Sequence, residues 1–371
     1  VDHRDRLPVD RAETLVALNA PSAENPAVKA IGARSFLPVS HPEFLVEFEA
    51  PDPQPGPLDL LVQPRAVAVN PVDTKIRASL GEGPHDPPRI LGWDAAGVVM
   101  ETGDSVSGFR KGDEVFYAGD LTRPGCNAVL QTVDSRLVAH KPASWSFAEA
   151  AALPLVTLTA WELLFERMGA DPDGANTGDP LLVINGAGGV GSALIPLAKM
   201  AGLGVTATAS RPQTREWCLS LGADAVINHR EPLAPQTEAL GIRSFPWIAN
   251  LHNTEAYWET TANLLAPLGS LGLIVEPREK LHIGDPLKAK CARIAWEFMA
   301  ARARFGTKDM ARQGEILARI ATLCDKEAFP RIHTRLLDGL SVETLREAHD
   351  AMESANAHGK WVIALETDTA S

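Results

Sequence analysis

Gly186, Gly188 and Gly191 stand at G-x-G-x-x-G spacing inside the run Asn185-Gly-Ala-Gly-Gly-Val-Gly191. A phosphate is held well by backbone N–H groups at a helix start, and glycine lets the chain turn tightly and approach it closely. The apolar run Pro180–Ile184 precedes the loop, and a helical pattern, Ser192–Ala201, follows it. That context makes a common glycine spacing a dinucleotide fingerprint. Gly186, Ala187, Gly188, Gly189, Val190 and Gly191 are therefore expected to cradle a pyrophosphate. The next apolar run, Gly204–Ala209, ends at Ser210-Arg211-Pro212 with no Asp or Glu to take a ribose 2′-hydroxyl. A hydroxyl and a guanidinium stand there instead, and a guanidinium grips a 2′-phosphate with two charge-assisted hydrogen bonds. Ser210 and Arg211 thus point to NADP(H) as the cofactor.

A loop of this kind needs a parallel sheet beneath it. Pro180–Ile184, Ser192–Ala201, Gly204–Ala209, Gln213–Leu221 and Ala225–Ile227 read as strand, helix, strand, helix, strand, the order of a parallel sheet with crossover helices. Ser270–Val275 reads as a later strand of that sheet. Upstream, Val28-Lys-Ala-Ile-Gly32, Phe44–Ala50, Leu58–Val69, Ile90–Glu101 and Asp113–Tyr117 read as strands broken by Pro/Gly clusters, a mostly β unit. Phe147–Leu153 and Thr159–Met168 have helical spacing, and the chain ends in a helix, Val342–Ser354, and a strand, Lys360–Leu365. Residues 1–27 are rich in Asp, Arg, Pro and Ala, and are expected to be a disordered, dispensable extension.

The 371 residues suffice for two domains, and the net charge of −12 disfavours nucleic acid and anionic membranes as partners. Apolar stretches are too short for a spanning helix, and the first residues lack a secretory pattern. Cys126, Cys218, Cys291 and Cys324 are far apart, which fits a reducing cytoplasm better than a disulfide frame or a metal knuckle.

Six segments occur in order: Asn70-Pro-Val-Asp-Thr-Lys75, Gly92-Trp-Asp-Ala-Ala-Gly97, Gly112-Asp-Glu-Val115, Ala150–Trp161, Gly186–Gly191 and Leu221-Gly-Ala-Asp-Ala-Val-Ile-Asn228. Together they resemble the quinone-oxidoreductase-like branch of the medium-chain dehydrogenases/reductases, whose members are often labelled zinc-type alcohol dehydrogenase-like. The resemblance spans residues 28–365 and implies an α/β fold. A Rossmann domain, a doubly wound parallel sheet over 154–324, would interrupt a mostly β GroES-like catalytic domain built from 28–153 and 325–365. The active site would lie in the cleft between them.

The resemblance also implies roles. Asn70 would be a carbonyl hydrogen-bond donor, and Lys75 would stand where relatives often carry a tyrosine proton donor. Thr159 would lie near the nicotinamide, His229 beside the adenosine phosphate, and Lys360 near the cofactor cleft. Asp94 would correspond to an acid behind the zinc ligands of relatives. The zinc ligands themselves have no counterpart: Asn70–Lys75 lacks Cys, Trp93 replaces a His, and Ala150–Trp161 lacks Cys, His, Asp and Glu. No metal is expected. The implied activity is hydride transfer to a small-molecule quinone or α,β-unsaturated carbonyl. A metal-free alcohol dehydrogenase or carbonyl reductase, or a low-turnover NADPH-binding protein, are the other readings. The resemblance further implies a homodimer, with Phe298 and Met299 of the segment Leu281–Phe305 near the cleft or the dimer seam and Phe305 anchoring the loop.

Overall fold

The computed structural model describes residues 27–354 and 356–365. The proposed extension lies outside them except for Ala27, which opens the first strand, Ala27–Ala33.

The first unit is built on two sheets. Ala27–Ala33 lies between Val46–Pro51 and Arg89–Ile90 in a small antiparallel sheet. The larger sheet runs His333–Asp338, Lys360–Ala364, Asp59–Val69, Ala95–Thr102, Glu114–Tyr117, Val138–His140, and Gln131–Asp134 adds to Asp59–Val69. Asp59–Val69 alternates between half-buried and buried residues at first, then is wholly buried from Ala66. It begins as a half-solvated strand and ends sandwiched inside the molecule. A Cβ at Gly97 would lie 2.2 Å from the Gln63 carbonyl oxygen, so glycine is required where the register slips past Pro64.

The second unit is a six-stranded parallel sheet. Its strands are Pro180–Ile184, Gly204–Thr208, Ala225–Ile227, Phe245–Asn250, Leu265–Leu273 and Arg293–Trp296. Taken in chain order, they lie third, second, first, fourth, fifth, sixth. This is the doubly wound Rossmann order, whose switch point falls between Pro180–Ile184 and Phe245–Asn250. Leu181, Leu182, Val183 and Ile184 are all buried, as expected of a strand covered on both faces.

Two helices join the units. Pro154–Trp161 is buried at every residue. Arg312–Asp325 lies on Val138–His140, with Gly314 so close that a Cβ there would meet the Arg136 carbonyl oxygen at 2.8 Å. No helix among the described residues is long and apolar enough to cross a membrane.

Several elements differ from expectation. Thr159–Met168 is not one helix: the α-helix ends at Trp161 and continues as a π-helix, Glu162–Arg167. Ile90–Glu101 splits into Arg89–Ile90 and Ala95–Thr102 around Gly92, whose φ is +100°. Ser270–Val275 is the end of the longer strand Leu265–Leu273. Pro71–Ser79, Phe245–Asn250, Thr254–Leu264 and His333–Asp338 have no counterpart in the pattern reading.

Candidate active site

The glycine loop leaves the first parallel strand at the switch point. Asn185 takes a left-handed φ of +67°, and its N–H donates to Thr208 Oγ1 at 3.0 Å, tying the loop to the neighbouring strand. The helix Gly189–Met200 starts at once, with Gly188 as its N-cap. A Cβ on Gly186 would lie 2.7 Å from Ala207 Cβ, and one on Gly191 would lie 2.4 Å from the Gly186 carbonyl oxygen. Both glycines are thus required by close packing, and the helix N-terminus is left facing the crevice at the carboxyl ends of the strands. Ala187 accepts a hydrogen bond from the Gly359 N–H at 2.9 Å, and Val190 is half-buried beside it. A Cβ on Gly189 would meet Val156 Cγ1 at 3.1 Å and Lys360 Cδ at 3.2 Å, so the loop lies directly against the other unit.

The ends of the second and third strands form a cationic corner. Arg211 N-caps the helix Pro212–Ser220, and among the described residues its guanidinium hydrogen-bonds to the Asn356 carbonyl oxygen over long contacts of 3.4 Å. Ser210 is half-buried beside it. His229 is half-buried, and burial, then the charges of Arg230, His252 and Arg211, hold its pKa below the usual range. Burial and then Arg211 act the same way on His358, whose ring meets Trp217 edge-on at 5.8 Å. The charge of Arg211 is thus felt by both His229 and His358. Asn356 and His358 had no local sequence signal, because only the return of the chain end brings them here.

Beneath the cleft lies a buried polar cluster. Lys360 Nζ donates to Asp94 Oδ2 at 2.9 Å, Asn70 Oδ1 at 2.5 Å and the Val69 carbonyl oxygen at 3.2 Å. Asn70 Nδ2 donates to Asp94 Oδ2 at 2.8 Å, and Asp94 Oδ1 accepts the Leu155 N–H at 2.7 Å. Asp73 accepts the N–H groups of Asn70 at 2.6 Å and Gly92 at 3.1 Å. Burial pushes the Asp73 carboxyl up to about 7, against the hydrogen bond from Asn70 and the charge of Lys360.

Two expectations are revised by this cluster. The Asn70 amide is engaged at both ends and is 1% exposed, so it is not free to donate to a substrate carbonyl. Lys360 is 2% exposed, so its ammonium faces Asp94 and only its stem reaches the glycine loop. Thr159 is buried, and its hydroxyl donates back to the Leu155 carbonyl oxygen at 2.8 Å. Lys75 is exposed, and its ammonium lies 3.8 Å from Glu276, a residue just beyond the fifth parallel strand that had no sequence signal.

The zinc positions fit no metal. Trp93 is buried and donates Nε1 to the Asp120 carbonyl oxygen at 3.1 Å, while the buried Cys126 thiol donates to the Asp94 carbonyl oxygen. Among the described residues, no three His, Cys, Asp or Glu side chains converge to hold a metal ion.

The chain matches the family described as alcohol dehydrogenase GroES-like domain over residues 56–157, and the zinc-binding dehydrogenase family over residues 189–290. It is 38% identical over 340 residues to a zinc-type alcohol dehydrogenase-like protein of Staphylococcus epidermidis, covering 91% of this chain and 100% of that protein. The chain belongs to the medium-chain dehydrogenase/reductase superfamily, in its zinc-lacking branch. It is also similar to a solved structure from Rhizobium etli CFN 42, assigned as a zinc-dependent alcohol dehydrogenase, with 40% identity, a TM-score of 0.87, and 92% and 98% of the two chains covered. Over 180 residues, 46% of this chain and 44% of the other, it is 41% identical to the 2-methylene-furan-3-one reductase of Solanum lycopersicum. As a medium-chain dehydrogenase/reductase, this chain is an oxidoreductase whose two family matches fall on its two structural units.

Proposed function

We propose that this protein reduces quinones or α,β-unsaturated carbonyls with NADPH, and uses no metal to do so. The observation that carries the reading is the corner formed by Ser210 and Arg211 at the end of the second strand, where an acid would select NADH. Among the described residues the Arg211 guanidinium makes two long contacts to a carbonyl oxygen, which a 2′-phosphate would readily displace, with His229 and His358 nearby in the same corner.

NADPH, when bound, supplies the hydride. The protein supplies position and field. The glycine loop and the N-terminus of Gly189–Met200 seat the pyrophosphate, which directs the nicotinamide half toward the fourth and fifth strands. Lys75 stands on that side and donates a hydrogen bond to the acceptor's carbonyl oxygen as negative charge develops there. An enone gains hydride at its β-carbon, its electron pair moves to oxygen, and a proton from Lys75 or solvent completes the reduction. An electrophilic acceptor of this kind asks less of the protein than alcohol oxidation, which needs help to lose the hydroxyl proton. The tomato relative's name, a methylene-furanone reductase, supports the substrate class.

Calorimetric titration with NADPH and NADH tests the reading. NADPH should bind more tightly, and Arg211→Ala should lose about 1.5–3 kcal/mol for NADPH alone, roughly 10- to 150-fold. Equal affinity of the unaltered protein for both cofactors would sink it.

A further inference from the structure

We infer that Glu276 sets the charge of the acceptors this site takes: paired with Lys75 at the cleft mouth, it selects neutral acceptors over anionic ones. The inference rests on the reading above and adds a specificity residue to it. A lone lysine over an acceptor site is an anion trap, and an enone or quinone bearing a carboxylate or sulfonate would dock to it charge-first. Here the ammonium has a counter-charge. Lys75 lies on Pro71–Ser79 of the catalytic unit and Glu276 follows the fifth strand of the Rossmann sheet, yet their charged atoms are 3.8 Å apart.

The loop carrying Glu276 is held on both sides. Thr254 Oγ1 donates to the Val275 carbonyl oxygen, and the Glu255 carboxylate accepts the N–H groups of Arg278 and Glu279, the latter at 2.7 Å. Thr254 and Glu255 begin one helix, Thr254–Leu264, so a single rigid element fixes the loop on either side of Glu276. The carboxylate is therefore presented at the cleft mouth by its backbone. Both side chains keep much of their solvent exposure, 51% for Lys75 and 80% for Glu276, so neither is locked in place. A neutral acceptor can borrow a Lys75 hydrogen while the pair persists. An anionic one must displace Glu276 and then sit beside it, and like charges this close repel.

Calorimetry on the full chain loaded with NADP+ tests this, with menadione as the neutral probe and 1,4-naphthoquinone-2-sulfonate as the anionic one. The unaltered protein should favour menadione. Glu276→Gln should lower the ratio of the sulfonate Kd to the menadione Kd by about fivefold, the effect of one unit charge ~4 Å away in water. High salt should shrink that change. Adding Lys75→Met should return the ratio toward its original value, because the bared ammonium is what attracts the sulfonate. An unchanged ratio in Glu276→Gln, or a sulfonate preference in the unaltered protein, overturns the inference. Turnover separates it from the broader reading. Menadione reduction with an unmoved ratio rejects only the role of Glu276, and a moved ratio without reduction of either quinone rejects only the reductase. Failure of both quinones to bind rejects the two together.

Discussion

Lys360 has its ammonium inside the protein, against a carboxylate contributed 266 residues earlier. Breaking a buried pair by removing one partner leaves an uncompensated charge in a poor solvent for it. Lys360→Met should therefore cost about 3–5 kcal/mol, read as a lower urea midpoint. Adding Asp94→Asn should recover much of it, since the stranded charge is gone. An unchanged midpoint in the single variant would mean that Asp94 does not need its lysine. The sequence suggests Lys360 near the cofactor cleft, and its stem lies beside the glycine loop, where a Cβ on Gly189 would meet Lys360 Cδ at 3.2 Å. The direction of its head was not legible: it depends on Asp94 and Asn70, which no local pattern links to the last strand. Asn70 misled for the same reason. An amide in a family stretch reads as a donor, and only the fold shows that Asp94 and Lys360 already occupy it.

The elements legible in advance were those whose own residues enforce them. Pro180–Ile184 and Ala225–Ile227 match the reading at both ends, since short apolar β-branched runs bounded by turns have few alternatives. The π-helix Glu162–Arg167 was invisible because tertiary contacts impose it. It brings Glu162, Glu166 and Arg167 against Glu297, Arg302 and Arg312, with Arg302 Nη1 2.7 Å from Glu162 Oε2 and Arg167 Nε 2.9 Å from Glu297 Oε2. Burial, then the neighbouring Glu162 carboxylate, pushes the Glu297 carboxyl up to about 9. An acid whose pKa rises on folding binds its proton more tightly when folded, so its contribution is present below its unfolded pKa and fades as pH climbs. Stability should fall between the ordinary value of 4.5 and about 9 through this group. Glu297→Gln should flatten the decline of Tm across that window, as scanning calorimetry at several pH values would show. A decline as steep as in the unaltered protein would place the titrating group elsewhere.

At the scale of the whole molecule, the six-stranded sheet ends in Arg293–Trp296, whose outer edge pairs with no strand among the described residues. Trp296, Phe298 and Phe305 are exposed near it, whereas Met299, expected at the cleft or seam, is buried. An open edge flanked by apolar side chains invites a second copy across a twofold axis. We propose a homodimer joined there. Light scattering at micromolar protein should give twice the 39.7 kDa chain mass, and Trp296→Lys should halve it. A monomer at every concentration would eliminate the dimer. The larger sheet of the catalytic unit carries a different consequence, one of timing. Its central strand, Asp59–Val69, pairs with Lys360–Ala364. Among the described residues the Rossmann sheet has all its strands once Trp296 has been synthesised, but the catalytic sheet waits for Lys360–Ala364. During translation, therefore, the cofactor-binding unit has every strand it needs while Asp94 still lacks its lysine, and the first unit begun is the last that can be finished.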